Sequence, residues 1–283
     1  MKLKEINKSA LAKINIGLEV LRKRDDGFHE INSIMSLIDL ADELEFKESI
    51  RTEVVCPEFP ELNMQNNIVF NTITELKKKF YLVEKNVKVL INKKIPIGAG
   101  LGGGSSDAAT TLKVLNSVWF IGMTRVQMYN IANKIGSDVV FFLKNQSAIV
   151  KGKGDIIRHF QYKIPYQILV VYPKINISTK EAYENLNIEN KIKLPTDFFS
   201  IIKQSLKMPY ILREYIKNDF EEVIFQKYPI IKEIKETLYG FGALFALMSG
   251  SGSSVYGFFE KLNEAELAMA QFPEFDCFLC KGS

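Results

Sequence analysis

The chain has 283 residues, of which 47% are hydrophobic and 25% charged, and its net charge is +4. This is the composition of an ordinary globular protein with room for one large or two medium domains. The lysines are scattered between apolar residues, which favours a solvated surface over a nucleic-acid-binding surface. We find neither an apolar run of membrane-spanning length nor the apolar segment of a signal peptide, and we therefore expect a cytoplasmic protein.

The N-terminal half mixes short strands with helices. Apolar residues at every second position predict a strand over 12–20, which places Lys13 and Asn15 together on its polar face. Thr124 and Gln127 have the spacing of a capping box and predict the start of a helix. The other predicted elements of this half are strands over 31–40, 44–46, 52–55 and 87–91, and helices over 69–80 and from about 108.

After Gly136-Ser137-Asp138 the pattern returns to short strands, and helices follow. This order lacks the regular alternation of a doubly wound sheet and predicts an α+β fold. We place a domain boundary near residue 160, giving domains 1–160 and 161–283. The elements predicted here are strands over 147–150, 167–172, 243–248, 254–259 and 275–279, and helices from 178 and over 196–206, 210–225, 229–239 and 263–272.

The three cysteines predict neither a disulfide framework nor a zinc site. Cys277 and Cys280 form a C-x-x-C pair, but no second pair lies nearby and the chain has only two histidines. Both cysteines lie in a short apolar run, so we expect them to be small core residues on a final strand.

Residues 96–109 carry the most informative motif, Pro-Ile-Gly-Ala-Gly-Leu-Gly-Gly-Gly-Ser-Ser-Asp-Ala-Ala. A strand pattern precedes the glycines and a helical pattern follows them. Glycines let a ligand approach the backbone closely, and the free amides at a helix start attract negative charge. The motif therefore predicts a polyphosphate site, because so many glycines with tandem serines exceed what tight helix packing requires.

Three other glycine motifs fit less well. A P-loop needs Lys-Ser or Lys-Thr after the glycines, and neither follows here. Gly98, Gly100 and Gly103 satisfy G-x-G-x-x-G, but residues 117–123 lack the carboxylate that a dinucleotide site requires. The H-R-D and D-F-G motifs of protein kinases are also absent.

The glycine loop resembles the ATP-binding motif of the GHMP kinases, a family of small-molecule kinases. Residues 12–15 and 26–30 are similar to A-K-[IL]-N and D-G-[YF]-H-E in the branch that acts on a cytidine-diphosphate-linked alcohol. Residues 248–254 resemble the family's third motif, a glycine-serine loop. The resemblance covers nearly the whole chain, and it implies the two-domain GHMP kinase fold, with a ribosomal-protein-like N-terminal domain and a ferredoxin-like C-terminal domain.

The resemblance also implies ATP and Mg²⁺ as cofactors, bound by the N-terminal domain. Asp138 would be the general base and Lys13 its partner, although from sequence alone a helix cap and a surface lysine are the commoner roles. The hydroxyls of Ser105 and Ser106 would either cap the helix or meet phosphate and Mg²⁺. The implied nucleotide contacts are Pro96, Ile97, Gly98, Ala99, Gly100, Leu101, Gly102, Gly103, Gly104, Ser105, Ser106, Asn67 and Lys93.

The substrate implied by the resemblance carries a cytosine base. Phe28 would stack on the base, His29 would hydrogen-bond its edge, and Tyr183 would supply a second aromatic ring. Asn15 would hydrogen-bond the substrate near the reacting end. The implied reaction is phosphorylation of the 2-hydroxyl of a CDP-linked methylerythritol in the non-mevalonate isoprenoid pathway, with the C-terminal domain contributing to substrate binding.

Two alternatives stay open. Another GHMP kinase, acting on homoserine or mevalonate, would not need an aromatic residue and a histidine after the Asp-Gly turn. A non-catalytic RNA-binding role is suggested by the ribosomal-protein-like domain and disfavoured by the modest net charge. Leu11 and Val140 stand where the family usually has proline, which bears on the geometry beside Lys13 and Asp138. We expect a monomer or a weak dimer.

Overall fold

The structure, a computed structural model, describes residues 5–186 and 194–283. The chain folds into two compact units. Unit 1 comprises Met1–Ala12, Leu40–Ile95 and Gly102–Asn145, and unit 2 comprises Lys13–Asp39, Pro96–Leu101 and Gln146–Ser283. None of the described helices is long and apolar enough to cross a membrane.

The strands are β1 (Ile6–Lys23), β2 (His29–Glu48), β3 (Glu53–Val55), β4 (Val87–Asn92), β5 (Ser147–Gly152), β6 (Ile156–Phe160), β7 (Gln167–Tyr172), β8 (Phe245–Met248), β9 (Val255–Phe259) and β10 (Asp276–Lys281). The helices are α1 (Ile68–Lys79), α2 (Gly103–Val118), α3 (Arg125–Ile135), α4 (Ser137–Phe141), α5 (Thr179–Glu184), α6 (Phe198–Ser205), α7 (Tyr210–Tyr215), α8 (Phe220–Lys227), α9 (Pro229–Gly240) and α10 (Leu262–Met269).

Unit 1 packs helices α1 to α4 together with a short piece of sheet. The C-terminal end of β2 pairs antiparallel with β4, and β3 pairs parallel with β4. Helix α1 buries Val69, Ile73 and Leu76, which share one face because their spacing follows the helical period, and it packs against α2. Helix α3 begins at the predicted capping box, in which Thr124 and Gln127 make both hydrogen bonds.

Unit 2 contains a four-stranded antiparallel sheet in the order β10-β7-β9-β8. Helix α9 packs on β8 and β9, and α10 packs on β7. This strand order, with a helix before β8 and another before β10, is the ferredoxin-like arrangement. The N-terminal part of β2 pairs with β5, and β5 pairs with β6. The mixed α+β class predicted from the element order is confirmed.

Two local predictions were wrong, and two short elements were not predicted. Segments 31–40 and 44–46 form the single strand β2, because a buried carboxylate, Asp42, interrupts the apolar pattern without interrupting the strand. The apolar run after Asp138 forms the short helix α4, which was not among the predicted elements. Strand β6 was not predicted, since its residues are only partly buried. The helix predicted over 210–225 is two helices, α7 and α8, separated by residues 216–219. The domain division at residue 160 does not coincide with the division into compact units and stays a prediction.

Candidate active site

The first part of the glycine loop, Pro96–Leu101, lies in unit 2 and has little room for side chains. Gly98 and Gly100 have φ angles of +66° and +77°, which favour glycine. A Cβ atom on Gly100 would lie 2.0 Å from the carbonyl oxygen of Ser249, and one on Gly98 would lie 2.0 Å from Oδ1 of Asn176. The positive φ angles and these close approaches therefore favour glycine at both positions.

The second part of the glycine loop forms the start of α2 in unit 1. Gly102, in the left-handed region with a φ of +72°, is the N-cap, and no side chain caps the helix. The capping role that the sequence left open for Ser105 and Ser106 is therefore not observed. The first turn carries no acidic residue. Its amides and the helix dipole consequently present positive charge, as an anion site needs.

A buried ion cluster lies behind this helix start. The Lys93 ammonium contacts Asp42 Oδ2 and lies 3.0 Å from Asp107 Oδ2. Asp42 Oδ1 also accepts hydrogen bonds from the backbone N–H groups of Lys94 and Ile95, at 2.7 and 2.8 Å. The cluster therefore joins the residues after β4 to the first part of α2, and the predicted adenine contact Lys93 has its ammonium bound to carboxylates.

The cluster has two carboxylates for one ammonium. Burial raises the pKa of Asp107 to about 7, although Lys93 acts to lower it. Burial alone would lower the pKa of Lys93, but Asp107 and Asp42 outweigh that effect and raise it. Asp107 Oδ1 is buried without a hydrogen-bond partner among the described residues. A Cβ atom on Gly103 would lie 3.2 Å from Asp42 Oδ2, so this negative charge sits directly beside the helix start.

Lys13 and Asn15 lie together in unit 2, as their spacing on β1 predicts. The Lys13 ammonium donates to Asn15 Oδ1 at 2.6 Å and to the carbonyl oxygen of Gly100 at 2.8 Å. Asn15 donates through its amide to Ser33 Oγ at 2.9 Å and through its backbone N–H to Ser249 Oγ at 3.2 Å. Lys13 and Asn15 are both buried, so the surface-lysine alternative for Lys13 was wrong.

Asp138 and Asn67 both lie near helix starts in unit 1, with different roles. Asp138 is the second residue of α4, whose N-cap is Gly136, so Asp138 is not the cap. Its side chain is half-buried. Asn67 is itself the N-cap of α1, since its Oδ1 accepts from the backbone N–H of Val69 at 2.8 Å. The adenine contact predicted for Asn67 competes with this cap.

The aromatic residues predicted to bind a base lie in unit 2. The rings of His29 and Tyr183 are stacked, with centroids 4.5 Å apart and planes 8° from parallel. Rings at this separation are in van der Waals contact, so no base fits between them. Phe28 is 54% exposed, and the ammonium of Lys153 lies 4.6 Å from its ring centroid. Burial lowers the pKa of His29, which keeps its imidazole neutral at pH 7.

Sequence reasoning missed three residues that the structure brings to these features. Lys153 lies in a turn after β5 and carries no local signal. Asp42 is a carboxylate at a position in phase with the apolar residues Ile38, Leu44 and Phe46 of its strand, and that conflict could have identified it. Asp107 stands inside the glycine-loop motif, directly after the tandem serines. Among the described residues, no group of three or more His, Cys, Asp or Glu side chains could hold a metal ion.

A glycine loop that leads into an uncapped helix start, on a mixed α+β fold, is the arrangement of a nucleotide-dependent phosphotransferase. The family model described as "GHMP kinases N terminal domain" matches residues 67–146, and "GHMP kinases C terminal" matches residues 208–276.

Relatives over nearly the full length share one name. The 4-diphosphocytidyl-2-C-methyl-D-erythritol kinase of Thermodesulfovibrio yellowstonii is 39% identical, with 95% of this chain and 94% of the relative covered. That of Thermoanaerobacter pseudethanolicus is 41% identical, with 96% and 93% covered. A crystal structure of 4-(cytidine 5'-diphospho)-2C-methyl-D-erythritol kinase superposes with a TM-score of 0.83 at 26% identity, covering 98% of this chain and all of the other. The chain therefore belongs to the GHMP kinase family, in the group whose members are named 4-diphosphocytidyl-2-C-methyl-D-erythritol kinase.

Proposed function

We propose that this protein uses ATP to phosphorylate the 2-hydroxyl of 4-diphosphocytidyl-2-C-methyl-D-erythritol, a step of the non-mevalonate isoprenoid pathway. The observation that carries the proposal is the exposed Phe28 ring beside the stacked His29 and Tyr183, in the same unit as Lys13. A nucleobase can stack on an exposed aromatic face, whereas homoserine and mevalonate contain no ring. Lys153, above the Phe28 ring, adds positive charge suited to the diphosphate of such a substrate.

The glycine loop fits the triphosphate of ATP, because its five glycines carry no side chains and the first turn of α2 carries no acidic residue. Mg²⁺ takes most of its ligands from phosphate and water, and Ser105 and Ser106, in the first turn of α2, would offer hydroxyl oxygens to it. When bound, the ion would neutralise phosphate charge. We keep Asn67 and Lys93 as proposed adenine-side residues by position, with the polar end of each side chain already hydrogen-bonded.

In the proposed reaction the substrate hydroxyl oxygen bonds to the γ-phosphorus of ATP, and the bond from that phosphorus to the bridging oxygen of ADP breaks. Asp138 accepts the hydroxyl proton as general base. The ammonium of Lys13, held by Asn15 and Gly100, offsets negative charge on the phosphoryl group during transfer.

The substrate proposal is tested by comparing kcat/KM for the CDP-linked alcohol with that for homoserine and mevalonate, by ADP release. We expect a preference of at least about 100-fold for the CDP-linked alcohol, since stacking and charge contacts together supply roughly 3 kcal/mol. Equal or better turnover of homoserine would contradict the substrate and leave the kinase class intact.

The role of Asp138 predicts a loss of kcat by about 10²- to 10⁴-fold in Asp138→Asn, the usual contribution of a general base. The exposed Glu84→Gln in the same unit is the matched control and keeps normal turnover. Circular dichroism melting establishes that both variants are folded. A folded Asp138→Asn variant with near-normal kcat would eliminate Asp138 as the base.

Three further expectations stay proposals. We propose a cytoplasmic location, for which the thiols of Cys56, Cys277 and Cys280, none of them in a disulfide, are suitable. We propose that functional domains divide near residue 160, into an ATP-binding and catalytic domain, 1–160, and a domain that contributes to substrate binding, 161–283. The two family matches fall on opposite sides of that position. We propose a monomer or weak dimer, which sedimentation can test.

A further inference from the structure

The break between α7 and α8 is tied to the rest of unit 2 by several hydrogen bonds. Asn218 is buried, and its side-chain amide donates to the carbonyl oxygens of Met248 and Gly250, both at 2.8 Å. Its Oδ1 accepts from the backbone N–H of Phe220 at 3.0 Å. Both N–H donors of the Asn218 amide therefore bind the glycine-serine loop at the end of β8.

The adjoining residues fasten the same segment to β1. The backbone N–H of Asp219 donates to the carbonyl oxygen of Leu18 at 2.9 Å, and Asp219 Oδ2 accepts from the backbone N–H of Val20 at 2.8 Å. Glu221 Oε1 accepts from the backbone N–H of Met248 at 2.9 Å. Asn218, Asp219, Phe220 and Glu221, here called the 218–221 segment, thus bind both the strand that carries Lys13 and the loop after β8.

The loop held by this segment lies directly against Lys13. A Cβ atom on Gly250 would lie 3.3 Å from the Lys13 ammonium nitrogen and 3.2 Å from Asn15 Oδ1. Ser249 Oγ donates to the carbonyl oxygen of Gly100 at 3.0 Å, the same oxygen that accepts from Lys13. A displacement of Gly250 would therefore alter the surroundings of the ammonium.

Phe220 connects the segment to the aromatic residues. Its ring packs edge-on against Tyr183, with centroids 4.9 Å apart and planes at 85°. Tyr183 in turn stacks on His29. One short segment thereby touches the loop beside Lys13 and the ring that supports the aromatic pair.

We propose that the 218–221 segment is a positioning element, in which Asn218 sets the glycine-serine loop against Lys13 and Phe220 sets Tyr183 against His29. The proposal rests on the proposed function for its kinetic consequences. It assigns the two residues separate effects: Asn218 governs the rate of phosphoryl transfer, and Phe220 governs the binding of the nucleobase end of the substrate.

The test compares Asn218→Asp with Phe220→Leu by steady-state kinetics. A carboxylate of the same size cannot donate to the two carbonyls, so Asn218→Asp should lower kcat by about 10- to 100-fold, the effect of a small misplacement of reacting groups. It should change the KM of the CDP-linked alcohol less than about threefold. Phe220→Leu should raise that KM about three- to tenfold and leave the KM of ATP unchanged, since it loosens a stacking ring.

Hydrogen exchange supplies a readout that needs no substrate. Amides of residues 248–254 should exchange at least about tenfold faster in Asn218→Asp, because the loop loses its two carbonyl anchors. Unchanged exchange, or a kcat within twofold of wild type, overturns the positioning role. The two proposals can also fail separately. If Asn218→Asp exchanges faster but the wild-type protein does not turn over the CDP-linked alcohol, the proposed function is wrong and the positioning role stands.

Ile234→Ala is the matched control, because Ile234 is buried in α9 of the same unit and its side chain takes no part in the hydrogen bonds of Asn218. The Ile234→Ala variant should have a lower melting temperature. At temperatures below its unfolding transition, its kcat should equal that of the wild type. If Asn218→Asp does not fold, Asn218→Ser, which retains one donor, takes its place. The Asn218 variant and Ile234→Ala are compared at the same loss of stability. If the Asn218 variant then loses no more kcat than Ile234→Ala does, the role of Asn218 is purely structural.

Discussion

The start of α2 in unit 1 and the glycine-serine loop in unit 2 are held by different chemistry. In unit 1 the start of α2 is fixed by a buried ammonium, Lys93, between the carboxylates Asp42 and Asp107. In unit 2 the neutral amide of Asn218 donates to two carbonyls of the glycine-serine loop. Removing one buried charge leaves another unpaired, which is costly, whereas removing a neutral hydrogen bond costs much less.

The difference matches what each part would have to bind. The start of α2 attracts anions, but Asp42 lies beside Gly103 at that start. An unpaired carboxylate there would repel phosphate, so Lys93 is needed for charge balance as well as for structure. In the proposed reaction the Lys13 ammonium carries the active charge, and it donates hydrogen bonds to two neutral groups, Asn15 Oδ1 and the carbonyl oxygen of Gly100.

The largest effect that this comparison predicts is that of Lys93→Met. Two buried carboxylates would lose their cation, and we expect the free energy of unfolding to fall by about 3–5 kcal/mol. Urea denaturation measures it. The matched control is Lys88→Met on the preceding strand β4. The partly exposed ion pair of Lys88 with Glu53 spans 3.5 Å and should contribute little to stability. Equal losses in the two variants would mean that the buried cluster is not what holds unit 1.

Tyr183→Ala should have an intermediate effect that is confined to unit 2. Loss of the ring stacked on His29 should raise the KM of the CDP-linked alcohol by roughly 5- to 150-fold, the equivalent of about 1–3 kcal/mol of stacking. The KM of ATP should stay within twofold. Tyr215→Ala, on an exposed tyrosine of the same unit, is the control with no expected change. A similar rise in the KM of ATP and in the KM of the CDP-linked alcohol would contradict this prediction, because it would mean that Tyr183 does not act on the base-bearing substrate alone.

Much of this architecture follows from local sequence patterns, and the exceptions have physical causes. The alternation over 12–20 placed Lys13 and Asn15 on one strand face, and the Thr124 capping box marked the start of α3, because both signals lie within a few residues. The burial of Lys13 could not be read locally, since its partner Gly100 is 87 residues away. The break at 216–219 was missed for the same reason. Apolar spacing continues through it, and the groups that end the helix bind β1 and the loop after β8.

Glu221, which borders that break, provides the smallest and most discriminating prediction. Burial raises its pKa above the ordinary 4.5, although Lys235 at 2.6 Å acts to lower it. The folded protein therefore holds this proton more tightly than the unfolded chain. The stability that Glu221 contributes is full below its ordinary pKa and is lost as the pH rises through its folded value.

Glu221→Gln keeps an acceptor for the backbone N–H of Met248 and cannot titrate in this range. The unfolding free energy of wild type minus that of Glu221→Gln should therefore fall as the pH rises from about 4, and then level off. Urea denaturation between about pH 4 and 8 measures this difference, and Ile234→Val, an apolar change in the same unit, should show a constant one. A difference that grows with pH would mean that the ion pair with Lys235 dominates. Unit 2 would then be held by buried charge as unit 1 is. The contrast between the ion cluster of unit 1 and the neutral hydrogen bonds of Asn218 would no longer hold.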